Sequence, residues 1–525
     1  MASVRTLVDV FSLARDRGGS PFLSYVDDLD QPPVESLSYA EFFARACTVA
    51  AALRRSGLRT GDRVALVALP RVDYTATLAG AVLAGAVPAP VNHHFKTREL
   101  TAYLGLLEPA MVVADADTAG VVAQAVDRLP SRPVVAGISG YRGGDVVPIE
   151  ARRADDYEPF VPTPGDPALI LHSSGTTGLP KAVVRTHGAI AEFADWFADY
   201  FGEDERILNF LPLYHQAGLI LNVITACRLG IDVVQQSRYS TSAFWKLVDR
   251  YGATHMNLMA PVPSFLLAQP PRSDDRRHTL RWTVIAGRND HWAAFQERFG
   301  VIGMTFYGST ETLQITTTGS PKAGRYPNDV LEKTVPGMMT GRAIDGLAEF
   351  RVVDDAGVPV APGVRGRIEV RGRFVFSEYF NAPDATEAAF TEDGWFITGD
   401  VGYVTEGREL VLIGRESSMI RRSGENIAPR EIELVLEDHP AIDEAVVVGV
   451  PDEFRGEEIL ARIVRRPGAA LTAGEVFEYL EQHLSSFKVP RFVAFHQHFE
   501  HTPTFKVKHA ALDGAEDHWH ERNAT

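Results

Sequence analysis

The chain has 525 residues, a length that at about 150 residues per domain allows two to four units with sizeable cores and excludes a small disulfide scaffold. Hydrophobic residues make up 45% and charged residues 23%, the balance of folded domains rather than of a disordered chain. A net charge of −16 would be repelled by a phosphate backbone or an anionic bilayer, so neither nucleic acid nor a membrane surface is expected as a partner.

At the N-terminus, MASVRTLVDVF lacks the basic-then-apolar order of a secretory signal. Cys47 and Cys227 lie far apart, without the paired spacing of a zinc site, and point to a reducing compartment and a cytoplasmic location. Ser38 and Glu41 form a capping box that opens an amphipathic helix, AEFFARACTVAAALRR, which Gly57 ends. Asp62 then leads into a strand, RVALVAL, followed by a helix over Tyr74 to Ala84 and a short strand, VPAPV. The apolar stretch Ala79 to Val91 is too short and too broken by Gly and Pro to span a membrane.

Strand segments recur at Ala168 to Leu171, Arg206 to Phe210, Asp232 to Gln235, His255 to Met259 and Trp282 to Ile285, a βαβ grammar that predicts an α/β fold with mostly parallel sheets covered by helices. Beyond Phe350 the pattern changes to strand pairs, EFRVVDDAGVPV and GRIEVRG, which predict a β-barrel-like appendage. Past Gly414 it becomes helix, strand, strand, helix, strand. Pro429 opens the first of these helices, AVVVGV and ILARIVRR form the strand pair, and Thr472 with Glu475 caps the second helix. The expected division is therefore a large multi-sheet domain over residues 1–413 and a small α+β domain over 414–525, with the boundary between Ile413 and Ile420.

The most specific segment is His172 to Lys181, HSSGTTGLPK, at a strand-to-loop junction. A loop made of Ser173, Ser174, Gly175, Thr176, Thr177 and Gly178 lets backbone N–H groups and hydroxyls wrap a polyphosphate, and Lys181 adds a point charge. On composition alone, a Ser/Gly-rich surface turn reads equally well. The spacing of Gly175, Gly178 and Lys181 does not match G-x-x-x-x-G-K-[ST], which removes most support for a kinase-type P-loop.

HSSGTTGLPKAVVRTH resembles the phosphate-loop signature of the adenylate-forming superfamily, which includes acyl-CoA synthetases, luciferases and nonribosomal peptide synthetase adenylation domains. LPLYHQAG, YGSTET, GRIEVRG, GWFITGDVG, GRESSMIRRSGENIAPREIE and TPTFKVKHAAL follow in the family's order, so the resemblance covers the chain from about residue 165 onward. The wording IRRSGENI and the overall length are most similar to the carnitine/crotonobetaine type of acyl-CoA ligase.

The resemblance implies roles residue by residue. Tyr307 offers a flat face for adenine, and Gly308 lets the base approach the backbone. Ser309 and Gly424 fall among the nucleotide-binding positions, Thr310 reaches the α-phosphate, and Glu311 holds Mg²⁺. Asp400 accepts both ribose hydroxyls, with Arg415 donating to the same sugar. Lys506 bridges the substrate carboxylate and the α-phosphate, and His215 matches an aromatic gate between acyl pocket and thiol channel. ATP, Mg²⁺ and coenzyme A are the implied cofactors, a small-molecule acid the implied partner, and a homodimer a possible assembly.

The sequence departs from the family pattern in four places. Ser417 stands where relatives carry the acid of a hinge for lid rotation, Phe505 replaces a Gly before the lysine, and Ala182 replaces a Gly after Lys181. In AGRND, Gly287 is followed by Arg288 and Asn289, where small and apolar residues line the acyl pocket of relatives. The latter two make that wall polar if they face it, favouring a small or charged acid over a fatty chain.

The expected enzyme is thus an AMP-forming acid–CoA ligase with its active site in the cleft between a large domain and a mobile lid. An alternative keeps the adenylation step but activates nitrite and transfers it to an aryl amine, as a diazotase does. A third reading, a silent ATP-binding interaction protein, conflicts with the presence of Lys181, Glu311, Asp400, Arg415 and Lys506.

Overall fold

The fold is that of a computed structural model, which describes residues 4–141, 147–148, 157–173, 180–202, 204–259, 261–286, 292–319, 338–422, 425–452, 455–484, 486–502, 507–508 and 519–522. The chain divides into two compact units whose segments interleave. One comprises Met1–Asp329, Ile344–Glu349 and Arg371–Phe396, the other Val330–Ala343, Phe350–Val370 and Ile397–Thr525.

In the first unit, a five-stranded sheet runs Val87–Pro90, Arg63–Val67, Met111–Ala114, Val134–Gly137, Val147–Pro148, with every pair parallel. A second sheet has a parallel centre made of Ile302–Tyr307, Trp282–Ala286, His255–Met259, Arg206–Asn209, Asp232–Gln236 and Pro21–Val26. Antiparallel strands flank it, Thr316–Thr317 beside Ile302–Tyr307 and Glu35–Ser38 beside Pro21–Val26. A third, antiparallel sheet joins Pro167–Ser173, Lys181–Thr186 and Glu378–Tyr379. The βαβ grammar of the sequence is thus realised as parallel sheets.

Local signals explain where helices begin. The Ser38 hydroxyl accepts the Glu41 N–H at 3.3 Å while Glu41 Oε2 accepts the Ser38 N–H at 2.8 Å, so the capping box opens the helix Tyr39–Arg55. The apolar stretch that cannot span a membrane turns out to be the end of the helix Val72–Leu83, apolar on every side and buried at every position but Asp73, followed by the strand Val87–Pro90. Among the described residues no helix is long and apolar enough to cross a membrane.

Gly80 lets this buried helix approach its neighbour. A Cβ there would lie 2.6 Å from Val49 Cβ and 2.7 Å from the Ala46 carbonyl. Overpacking of this kind costs about 1–3 kcal/mol. Gly80→Ala is therefore expected to lower the midpoint of urea unfolding, and an unchanged midpoint would show that the two helices part freely.

With most of their residues in the second unit, Met338–Ala343, Leu410–Arg415, Phe396–Val404, Gly366–Gly372 and Ala348–Val353 lie side by side in that order. The pairings of Leu410–Arg415 with both its neighbours are antiparallel. A six-stranded sheet follows, built on the antiparallel pair Ile442–Asp452 and Gly456–Arg465 that the sequence predicts. The helices Pro429–Glu437 and Ala473–His483 pack Ile432, Leu436, Val476 and Leu480 against it. Pro429 occupies the first helical turn, and Thr472 and Glu475 form the second capping box.

Candidate nucleotide and acid site

Ser173 ends one strand of the antiparallel sheet and Lys181 begins the next, and the two are register partners. The hairpin therefore anchors both ends of the proposed phosphate loop, while Ser174, Gly175, Thr176, Thr177 and Gly178 lie outside the described residues. Ala182 is buried and pairs with His172, so the Gly usual at this position is not needed for space.

The strand Ile302–Tyr307 delivers the next motif. Tyr307 is buried, its N–H donates to Thr316 Oγ1 at 3.1 Å and its carbonyl accepts the Ile315 N–H at 2.8 Å. The chain between them folds back so tightly that a Cβ on Gly308 would sit 1.6 Å from the Leu313 carbonyl oxygen, which is why only glycine fits there. Inside this turn the Ser309 N–H donates to Thr312 Oγ1 at 2.8 Å and the Glu311 N–H to Ser309 Oγ at 3.2 Å. Thr310 lies between them, half-buried.

Glu311 is held from three sides. Its carbonyl accepts from Arg185 Nη1 at 2.9 Å and from the Phe376 N–H at 2.7 Å, and its carboxylate Oε1 accepts the Tyr379 hydroxyl at 3.2 Å. The Lys181 ammonium lies over the Tyr379 ring, 4.3 Å from its centroid. Arg185 is fully buried and also donates to the Phe374 carbonyl. Burial pushes its guanidinium down to about 9, with the Glu311 charge opposing the shift, so it remains a cation at neutral pH.

His215 caps the short helix Gln216–Gly218, its Nδ1 accepting the Ala217 N–H at 3.3 Å. Gln216 Nε2 donates to the Ser309 carbonyl at 2.9 Å, which ties this turn to the one that carries Glu311. A chain of buried amides braces it from behind. Asn257 donates to Asn222 at 2.5 Å, Asn222 to Asn209 at 2.7 Å and Asn209 to Gln235 at 2.7 Å, while Asn209 Oδ1 accepts the Leu211 N–H at 3.0 Å. His172 stacks on Tyr214 with ring centroids 5.6 Å apart. Burial first, and the His215 charge second, push it down to about 4, leaving a neutral imidazole.

In the second unit, Asp400 and Arg415 are register partners on adjacent strands, and Arg415 Nε meets Asp400 Oδ1 at 2.8 Å. Arg415 Nη1 also donates to the Thr398 carbonyl at 2.9 Å, and the buried Asp400 takes its N–H to Thr398 Oγ1 at 3.0 Å. The two expected ribose ligands are thus placed together. Ser417 follows in a single helical turn, Glu416–Ser418. Gly287, Arg288, Asn289, Gly424, Phe505 and Lys506 lie outside the described residues.

Sequence reasoning missed Arg185, Tyr379 and Gln216. An arginine inside the otherwise apolar strand Lys181–Thr186 is a signal of a buried cation with dedicated acceptors, and Gln216 adjoins a residue already singled out. Tyr379 carries no local mark, because its partners come from segments about 70 and 200 residues away.

A family model described as AMP-binding enzyme matches residues 14–380, and one described as AMP-binding enzyme C-terminal domain matches residues 431–506. The chain is 32% identical over 482 residues to the sulfoacetate–CoA ligase of Cupriavidus necator, covering 91% of this chain and 92% of that protein. It is 30% identical over 489 residues to the crotonobetaine/carnitine–CoA ligase of Proteus mirabilis, covering 89% and 91%. The ATP-bound crystal structure of MatB from Rhodopseudomonas palustris superposes with a TM-score of 0.83 at 27% identity, covering 96% of this chain and 98% of that one.

Proposed function

The chain belongs to the AMP-binding enzyme family, and we propose that within it this protein is an AMP-forming acid–CoA ligase. It joins a small acid to ATP with release of pyrophosphate, then passes the acyl group to the thiol of coenzyme A. The observation that carries the reading is similarity along nine-tenths of the chain to two proteins that are both named CoA ligases. The nitrite-activating alternative finds no support among these relatives.

The chemistry follows from the residues. A carboxylate is already ionised at neutral pH and needs no enzyme base to attack the α-phosphate. What it needs is relief of the repulsion between two anions. Lys181 with the loop that follows Ser173 holds the triphosphate, Tyr307 and Gly308 receive the adenine, and Asp400 and Arg415 hold the ribose. Thr310 contacts the α-phosphate, and Lys506 supplies the charge that steadies the pentacoordinate phosphorus as pyrophosphate departs.

Among the described residues no three carboxylate, imidazole or thiol groups gather as a metal cage. A single fixed carboxylate, Glu311, fits Mg²⁺, which commonly takes one or two protein carboxylates and completes its shell with phosphate oxygens and water. Bound there, it would offset phosphate charge. In the second step the small domain, Gly414 onward, turns about Ser417 to withdraw Lys506, and His215 yields the path of the thiol.

Sulfoacetate and carnitine, the acids in the relatives' names, are small and carry a second charged group. With Arg288 and Asn289 in AGRND, this supports a small charged acid as substrate. Arg288→Ala is expected to shift preference toward more hydrophobic acids, since an apolar tail no longer has to desolvate a cation. An unchanged ranking in a pyrophosphate-release screen would place Arg288 outside the pocket. The same screen, run over charged and apolar acids with and without coenzyme A, tests the function itself. Pyrophosphate release with a coenzyme A-dependent thioester product is the expected result, and release that yields product only with an amine would overturn it.

A further inference from the structure

Tyr379 stands between two groups of opposite charge that both face a nucleotide in the reading above. Its short strand, Glu378–Tyr379, pairs antiparallel with Lys181–Thr186, and Tyr379 lies opposite Val183, two residues along from Lys181. The backbone is fixed on both sides of the ring. The Tyr379 N–H donates to Thr386 Oγ1 at 3.0 Å and its carbonyl accepts the Ala382 N–H at 3.2 Å. Phe376 packs on the ring with centroids 4.6 Å apart, and the residue is 4% exposed.

We propose that Tyr379 is a positioning residue that keeps Lys181 and Glu311 apart and separately oriented for a metal–triphosphate. Without it, an ammonium and a carboxylate in neighbouring positions would attract each other and neutralise the charges that the triphosphate and its cation need. The ring face satisfies the ammonium by cation–π attraction, 4.3 Å from Nζ to centroid. The hydroxyl satisfies one carboxylate oxygen, 3.2 Å from Glu311 Oε1, and leaves the other for the cation. One side chain thus performs both functions, and the two can be removed separately.

Tyr379→Phe keeps the ring and removes the hydroxyl, whereas Tyr379→Leu removes both. The inference rests on the proposed ligase activity, so the test reads binding as well as turnover. ATP affinity is measured by calorimetry on the full chain with and without Mg²⁺, beside pyrophosphate release as a function of Mg²⁺ concentration. Loss of a hydrogen bond to a carboxylate predicts that Tyr379→Phe weakens the Mg²⁺-dependent part of ATP binding about 10-fold and leaves Mg²⁺-free ATP binding as in wild type. Tyr379→Leu should in addition weaken Mg²⁺-free binding by about 3-fold, the scale of one exposed cation–π contact.

Unchanged Mg²⁺ dependence in Tyr379→Phe would overturn the proposal, as would equal loss with and without Mg²⁺, which marks a packing role. If Tyr379→Leu does not fold, the phenylalanine variant alone decides. Failure of the wild type to release pyrophosphate with any acid would overturn the ligase reading instead, and the calorimetric comparison would still report on Tyr379.

Discussion

Lys506→Ala is expected to slow acyl-adenylate formation by about 10²- to 10³-fold, the usual cost of losing one preorganised donor to charge that develops in a transition state. ATP affinity should change little, because the ammonium acts as negative charge gathers on the departing pyrophosphate and not on the bound ground state. A second lysine in the same segment makes the assignment sharp. Lys508 is engaged elsewhere, its ammonium 3.5 Å from Glu500 and its N–H donating to the Glu500 carbonyl at 2.8 Å. Lys508→Ala should therefore leave pyrophosphate release near wild type. Single-turnover measurement of acyl-AMP on the two variants checks both statements, and a slow Lys508 variant beside a normal Lys506 variant would reverse the roles.

What the sequence made legible was local. Capping boxes need only residues three apart, which is why Ser38 with Glu41 and Thr472 with Glu475 could be read directly and are present. Alternation of apolar strands with helices dictates parallel pairing, because a parallel neighbour needs a crossover connection. Gly308 could be singled out for close approach, although the group that comes close is the chain's own Leu313 carbonyl. What stayed hidden depends on segments that meet only after folding. Glu311 is positioned by Arg185, Phe376 and Tyr379, three residues whose separations from it no periodicity encodes.

Arg185→Met is expected to destabilise the fold and to damage the site through the backbone. The arginine is fully buried, and its guanidinium serves the carbonyls of Glu311 and Phe374, which belong to separate segments. Methionine fills most of the volume, so the loss is chiefly of donors and charge. The Phe374 carbonyl loses its donor, while the Glu311 carbonyl keeps the Phe376 N–H; a buried carbonyl left without a partner costs about 1–3 kcal/mol, a sizeable share of the about 5–15 kcal/mol that holds a domain folded. The Glu311 carboxylate also loses its nearby cation. Because burial lowers the guanidinium to about 9 in the folded protein, its charge opposes folding at every pH below that value and the penalty is relieved only as pH rises beyond it, so removing the charge with Met offsets part of the lost hydrogen bonding. Across neutral pH the arginine is charged in both states, so the stability gap between wild type and Arg185→Met should not vary there. Urea unfolding of both proteins at several pH values measures the gap. A constant loss of about 1–3 kcal/mol, with weakened ATP binding, is the expected result. A variant as stable as wild type, with unchanged ATP binding, would mean that Arg185 does not brace the turn carrying Glu311.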